Sequence, residues 1–267
     1  MKFKHLFVSL GLLASIVGAV VFYYKLDSEL LTRLSFYIDL ANPAMRIVRV
    51  QEGLRKEQIA EVVAQKLDWD KQDKENFINA HLALKEDDLE GKYFPKTYII
   101  HKDESPTEVS SVMIEEYSKQ IEKIKKKNSK AKQIINDDTA LKIASLIQRE
   151  AGGKSDMRLI SGIIWNRIFS GMKLQVDATL QYAKGSEEDG WWSRVYSEDK
   201  KIDSEYNTYL HKGLPPGAIA NPGSTAIAAA YNPQETKCMF YLHNKNRKIY
   251  CAVTYEEHKK NIERYLK

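Results

Sequence analysis

Hydrophobic and polar positions along this chain change their spacing several times, and each change marks an element. Leu6 to Tyr24 is a run of 19 residues without a charge, long enough to cross a bilayer as a helix. Lys2 and Lys4 precede it, Lys25 follows it, and it ends in the aromatic Phe22-Tyr23-Tyr24 rather than a small-residue cleavage site. The pattern predicts an uncleaved anchor with residues 1–5 in the cytoplasm, and residues 25–45 then read as a juxtamembrane linker. Arg46 to Val50 alternates as a strand, and Gln51-Glu52-Gly53 follows as a turn. Residues 55–67 put Ile59, Val62, Val63 and Leu67 on one helical face. Leu89 to Ile100 is aromatic and strand-rich. Ser105-Pro-Thr-Glu108 has the form of a capping box with proline at the first helical position, and predicts a helix to about Lys127.

Beyond residue 137 two further helices are expected. The first has a stripe at Ala140, Ile143, Ala144, Ile147 and Ala151, and Gly152-Gly153 stops it. The second covers Met157 to Ser170. Gly171 to Tyr182 alternates, with Leu174, Val176 and Ala178 on one face, and predicts a strand whose other face presents Gln175, Asp177 and Thr179. Met239 to Leu242 and Lys248 to Val253 flank a polar turn and predict a β-hairpin. Tyr255 to Tyr265 closes the chain as an amphipathic helix.

Composition narrows the class. The hydrophobic fraction is 43% and the charged fraction 29%, which excludes a disordered chain and a polytopic membrane protein. Lysine and arginine total 41 against 36 acidic residues, so a net charge of +5 does not indicate a nucleic-acid partner. The lysines between 123 and 132 read as a solvated helix end or as a contact with an anionic surface. The six histidines form no metal-binding pair, and neither a metal nor a cofactor is expected. Cys238 and Cys251 are too few for a disulfide scaffold, but the hairpin should bring them close, nearly opposite each other on paired strands.

The candidate chemistry lies in the second half. Glu150 follows Ile143 and Ile147 on the same helical side, so its carboxyl either faces an apolar surface, with a raised pKa suited to a general acid, or swings out from a frayed helix end. Gln175, Asp177 and Thr179 could hydrogen-bond a sugar or form an ordinary solvated face. Tyr206-Asn-Thr-Tyr209 and the run Lys212 to Gly223 make a loop stiffened by proline and glycine. Trp191, Trp192, Tyr206 and Tyr209 could stack on sugar rings or pack internally.

These residues resemble the YceG-like (MltG-type) endolytic murein transglycosylases. The resemblance is carried by Glu90-Gly-Lys-Tyr-Phe-Pro-Lys-Thr-Tyr98, Ile147-Gln-Arg-Glu150, Asn166-Arg167, Gly171-Met-Lys-Leu-Gln-Val-Asp177, Tyr206-Asn-Thr-Tyr209 and Gly213-Leu-Pro-Pro-Gly-Ala-Ile-Ala-Asn-Pro-Gly223, within residues 46–265. It implies an α+β protein: a transmembrane anchor (6–24), a LysM-like and connecting region (46–135), and a catalytic domain with a glycan-binding groove (136–267). It also implies a single-pass protein of the cytoplasmic membrane with its C-terminal part outside the cytoplasm. The expected reaction cuts peptidoglycan strands internally between N-acetylmuramic acid and N-acetylglucosamine, leaves 1,6-anhydromuramic ends and limits strand length beside the peptidoglycan synthases. Glu150 matches the catalytic glutamate, and Gln175, Asp177, Thr179, Tyr206, Asn207, Thr208, Pro216, Gly217 and Asn221 are the expected substrate-binding set. The sequence departs from the motif at Gln148, where an acidic residue is usual, and in the Trp-containing stretch 184–204. Two rival readings are a non-catalytic wall-binding protein and a two-carboxylate hydrolase with Asp177 as base.

Overall fold

The computed structural model describes Ile38, residues 41–127 and residues 135–266. The expected anchor 6–24 and the end of the lysine cluster, 128–132, lie outside the described residues. No described helix is long and apolar enough to cross a membrane.

Residues 47–267 form one compact unit, built on two hydrophobic cores. The first core is made by β1 (Met45–Arg49), α1 (Lys56–Leu67), α2 (Lys71–Ile78), α3 (Ala80–Leu84), β2 (Thr97–His101) and the start of α4 (Pro106–Lys127). β1 and β2 pair as a two-stranded sheet. Val48, Ile59, Val63, Phe77, Tyr93 and Met113 are wholly buried together, with Phe77 stacked on Tyr93 at 4.7 Å. The expected capping box begins α4: the Glu108 amide donates to Ser105 Oγ, and the Ser105 amide donates to the Glu108 carboxylate. Only Thr97–His101 of the aromatic stretch 89–100 is a strand, because residues 89–96 turn through Gly91.

The second core is helical. It consists of the later part of α4 (Tyr117, Ile121 and Ile124), α5 (Asp137–Glu150), α6 (Met157–Phe169), α7 (Asp177–Lys184) and α8 (Ser224–Tyr231). The hairpin β3 (Phe240–His243) and β4 (Ile249–Ala252) follows, with α9 (Tyr255–Tyr265) packed on the hairpin. The predicted stripe of α5 is its buried face: Ala140, Ile143, Ala144 and Ile147 have no solvent exposure. α8 lies along α5, and α6 packs on both.

Two expectations are corrected here. Residues 171–182 do not form a strand. Gly171 and Gln175 adopt positive φ, which breaks an extended run, and Asp177 opens α7. The alternation stops at Val176, after which Ala178, Thr179 and Leu180 are all buried, a run that belongs to a helix face. Cys238 and Cys251 do form a disulfide, with Cα atoms 5.8 Å apart. They are not opposite each other, since Cys251 faces Tyr241 across the hairpin and Cys238 precedes β3.

Candidate functional site

Glu150 is the last residue of α5, where the helix leaves its apolar groove. Its carboxyl is largely withdrawn from solvent and accepts a hydrogen bond at Oε2 from the Tyr241 hydroxyl, 2.6 Å away. Ala178, in the first turn of α7, donates its amide to the same carboxyl. α7 has no side-chain cap of its own, so Glu150 serves one of its orphan N–H groups from outside. Burial dominates its titration and raises the pKa, and repulsion from Asp177 adds to this. The Tyr241 hydrogen bond and the attraction of His243 oppose the rise. Tyr241 is itself held far above the ordinary tyrosine range, first by burial and then by Glu150, so it is a donor at every physiological pH.

A cavity of about 680 Å³ opens over this pair, lined by Glu150, Tyr241, Asp177, Gln175, Arg167 and Tyr209, with Lys200, Phe240, Tyr255 and His258 at its edges. Asp177 projects from the first residue of α7 and accepts from the Tyr209 hydroxyl at 2.5 Å. Gln175 reaches the cavity from a left-handed backbone (φ 52°), which its neighbours enforce: its amide donates to the Thr208 carbonyl, and the Val176 amide donates to Thr208 Oγ1. Arg167 is pinned by donating to the Met239 and Leu174 carbonyls, so it joins α6 to the strand and loop that carry Tyr241 and Gln175.

Of the ten residues singled out from sequence, the structure brings Glu150, Gln175 and Asp177 to this cavity. Thr179, Asn207 and Thr208 are buried beneath it and spend their hydrogen bonds on the protein. Thr179 and Thr208 share a bond at 3.0 Å, and Asn207 donates to the Lys200 and Ile202 carbonyls and accepts from the Tyr209 amide. They shape the loop that presents Tyr209. Tyr206, Pro216 and Gly217 line a different cavity of about 740 Å³ with Asp88, Glu90 and Tyr117. Asn221 is fully buried between the two cores. The Pro-Gly run is a clasp on α5 rather than a wall of the cavity: Ala218, Ile219 and Ala220 are buried, and the Ile219 amide donates to Ser145 Oγ.

Tyr241 is the important residue that sequence reasoning missed. It is one of several aromatics in an ordinary hairpin pattern, and only the packing of β3 against the end of α5 gives it a role. Arg167 lay within a quoted motif, but nothing in the spacing indicated what it would hold.

The sequence profile of the YceG-like family matches residues 23–264. A Bacillus subtilis (strain 168) protein named endolytic murein transglycosylase is 34% identical over 242 residues, covering 82% of this chain and 65% of that protein. A Streptococcus pneumoniae protein of the same name is 30% identical over 186 residues, covering 67% of this chain and 32% of that one. The chain thus spans just under two thirds of the first relative's length and about a third of the second's. The crystal structure of a YceG-like protein from Listeria monocytogenes superposes with a TM-score of 0.69 at 29% identity, over 82% of this chain and 76% of that one. With both cores and the whole cavity inside the matched span, the chain belongs to the YceG-like family.

Proposed function

We propose that this protein is an endolytic peptidoglycan lytic transglycosylase with Glu150 as its general acid and base. The observation that carries the reading is the single largely buried carboxyl, held by Tyr241 at the floor of a polar cavity. The names of the curated relatives support it.

The chemistry follows from the geometry. Burial raises the pKa of Glu150 and so favours the protonated form that a general acid requires. With Oε2 taken by the Tyr241 hydroxyl, Oε1 carries the proton and delivers it to the glycosidic oxygen as the bond from C1 of the muramic residue breaks. Positive charge then spreads over C1 and the ring oxygen, and the Asp177 carboxylate in the same cavity stabilises it. The C6 hydroxyl of the same sugar adds to C1, and its proton returns to Glu150. One C–O bond breaks, another forms, water is not consumed, and the acid is regenerated. A second carboxylate is therefore not needed as a base. Gln175, Asp177 and Tyr209 would orient the sugars, and such positioning can lower the barrier by several kcal/mol.

The reading extends to placement. Residues 6–24 would anchor the protein in membrane lipid, with residues 136–267 outside the cytoplasm acting on strands emerging from the synthases to limit their length. The order strand, three helices, strand in residues 45–101, with the two strands paired, supports a LysM-like subdomain. A reporter fused after Lys267 should be active only outside the cytoplasm.

The test is a digest of purified peptidoglycan read by mass spectrometry. Wild type should release anhydromuramic ends from within strands. Glu150→Gln should lower their yield roughly 10²–10⁴-fold while leaving the fold and glycan binding intact. Asp177→Asn should cost less. Reducing ends would show a hydrolase with Asp177 as base, and binding without product would show a non-catalytic wall-binding protein.

A further inference from the structure

Tyr241 and His243 stand two residues apart on β3 and so project from the same side of the strand. Tyr241 holds Glu150. His243 holds something else: its Nε2 lies 2.7 Å from Oδ2 of Asp156, a carboxylate only 5% exposed. Asp156 accepts the Gly152 amide at Oδ2 (3.0 Å) and the Gly153 amide at Oδ1 (3.2 Å). These are the second and third residues after Glu150.

The same backbone is confined from outside. A Cβ at Gly152 would lie 2.6 Å from the Arg247 carbonyl oxygen, 2.8 Å from the His243 ring and 3.0 Å from Asp156 Oδ2. The chain leaving Glu150 is thus held on three sides, although a glycine pair at a helix end is otherwise the most flexible dipeptide available. The proton transfer described above uses neither Asp156 nor His243.

We propose that Asp156 and His243 form a positioning pair that locks the Gly152–Gly153 backbone and thereby sets the geometry and ionisation of Glu150. This rests on the reading of Glu150 as the acid. Asp156 clamps the amides, and His243 completes the buried carboxylate's hydrogen bonds, so that Asp156 cannot turn away. His243 also acts through charge. Glu150 is faced by Tyr241 and His243 from β3, Asp177 from α7, Arg167 from α6 and Arg149 from its own helix. His243 itself faces Asp156 and the edge of Tyr241. The attraction of His243 favours the Glu150 carboxylate, so its loss makes Glu150 a weaker acid.

The experiment compares wild type, Glu150→Gln, Asp156→Asn, His243→Ala and His243→Gln on one peptidoglycan preparation. It reads kcat, KM, the pH profile of kcat/KM and thermal melting. Asp156→Asn and His243→Ala should lower kcat about 10–100-fold with little change in KM, the cost of a misplaced catalytic group. His243→Gln keeps an N–H for Asp156 and should restore most of kcat. Both His243 variants should move the alkaline limb of the profile to higher pH, because the charge that favoured the carboxylate is gone. A 13C titration of the Glu150 carboxyl in folded His243→Gln should show the same upward shift, and it needs no turnover. Wild-type kcat with an unmoved limb and an unmoved titration would overturn the proposal, as would losses that follow melting alone. Absence of anhydro ends from wild type would instead refute the assigned reaction, and the carboxyl titration would still decide the positioning claim.

Discussion

Glu150 depends on its neighbours for its chemistry, and the hydroxyl of Tyr241 is the neighbour easiest to remove. Tyr241→Phe keeps the ring in place and deletes the donor to Oε2. That donor lowers the pKa of a buried carboxyl, so without it Glu150 should ionise at higher pH and act as a weaker acid. Hydrogen bonds to charged groups contribute about 1.5–3 kcal/mol, so kcat should fall about tenfold or more, with the melting temperature nearly unchanged. Kinetics at wild-type level in this variant would refute the role. Glu90 is the other buried carboxyl with a readable consequence. Burial, reinforced by Glu57, pushes it up to about 8, although the Lys56 and Gly91 amides and Asn221 Nδ2 donate to it. The folded state therefore holds a proton that the unfolded chain loses near pH 4.5. This contribution to stability is complete below that pH and declines as pH rises through about 8. Melting temperatures measured from pH 5 to 9 should fall with pH, and Glu90→Gln should flatten the slope. An equal slope in both proteins would show that Glu90 is ionised throughout. Gln148 also has a reason to be neutral: its side-chain amide serves both sides, Nε2 donating to Glu52 while Oε1 accepts the Gly223 amide. A carboxylate could not donate to Glu52.

Among the elements, those with long apolar stripes could be read directly. α1, α4, α5, α6 and α9 match their predicted spans to within a few residues, because period and caps point the same way over many turns. α7 could not, since it has only eight residues and its first turn continues a strand-like alternation. What makes it helical is tertiary: Thr208 pins Gln175 and Val176, Thr179 Oγ1 donates back to the Val176 carbonyl, and Glu150 caps the first turn. α6 carries a constraint of another kind. Its Gly162 is buried so close to the segment after α8 that a Cβ would lie 2.1 Å from the Gln234 carbonyl oxygen. Gly162→Ala gains helix propensity but must push that segment away. A net destabilisation of about 1–3 kcal/mol is expected. A variant that melts at or above the wild-type temperature would mean that the contact gives way easily.

At the scale of the whole molecule, the two cores are joined through a small set of polar groups. The Asn221 amide donates to the Leu54 carbonyl, and the Gly53 amide donates back to the Asn221 carbonyl. Its side chain accepts the Tyr93 amide and donates to Leu54 O and Glu90 Oε1. Arg149 stacks on Trp192 at 3.6 Å, and Trp192 donates to Gln58, so the Trp-containing stretch 184–204 braces α1 against the end of α5. Asn221→Ala leaves the buried Tyr93 amide without a partner and takes a donor from Leu54 O and from Glu90, and should cost about 1–3 kcal/mol, measured by denaturant unfolding. A loss below about 0.5 kcal/mol, the scale of an ordinary surface change, would show that the junction does not depend on this side chain. The sequence alone determined the helices with long stripes, the hairpin, the family resemblance and Glu150 as the candidate acid. Each of these is written in local period, in caps or in a contiguous motif. Only the tertiary structure decided that Asn207, Thr208 and Asn221 support loops rather than line the cavity, and that Tyr241, Arg167 and the Asp156–His243 pair gather around Glu150. The physical reason is distance along the chain. Tyr241 is 91 residues from Glu150 and Asn221 is 131 from Glu90, and no local pattern records which distant groups a packed core will bring within hydrogen-bond reach.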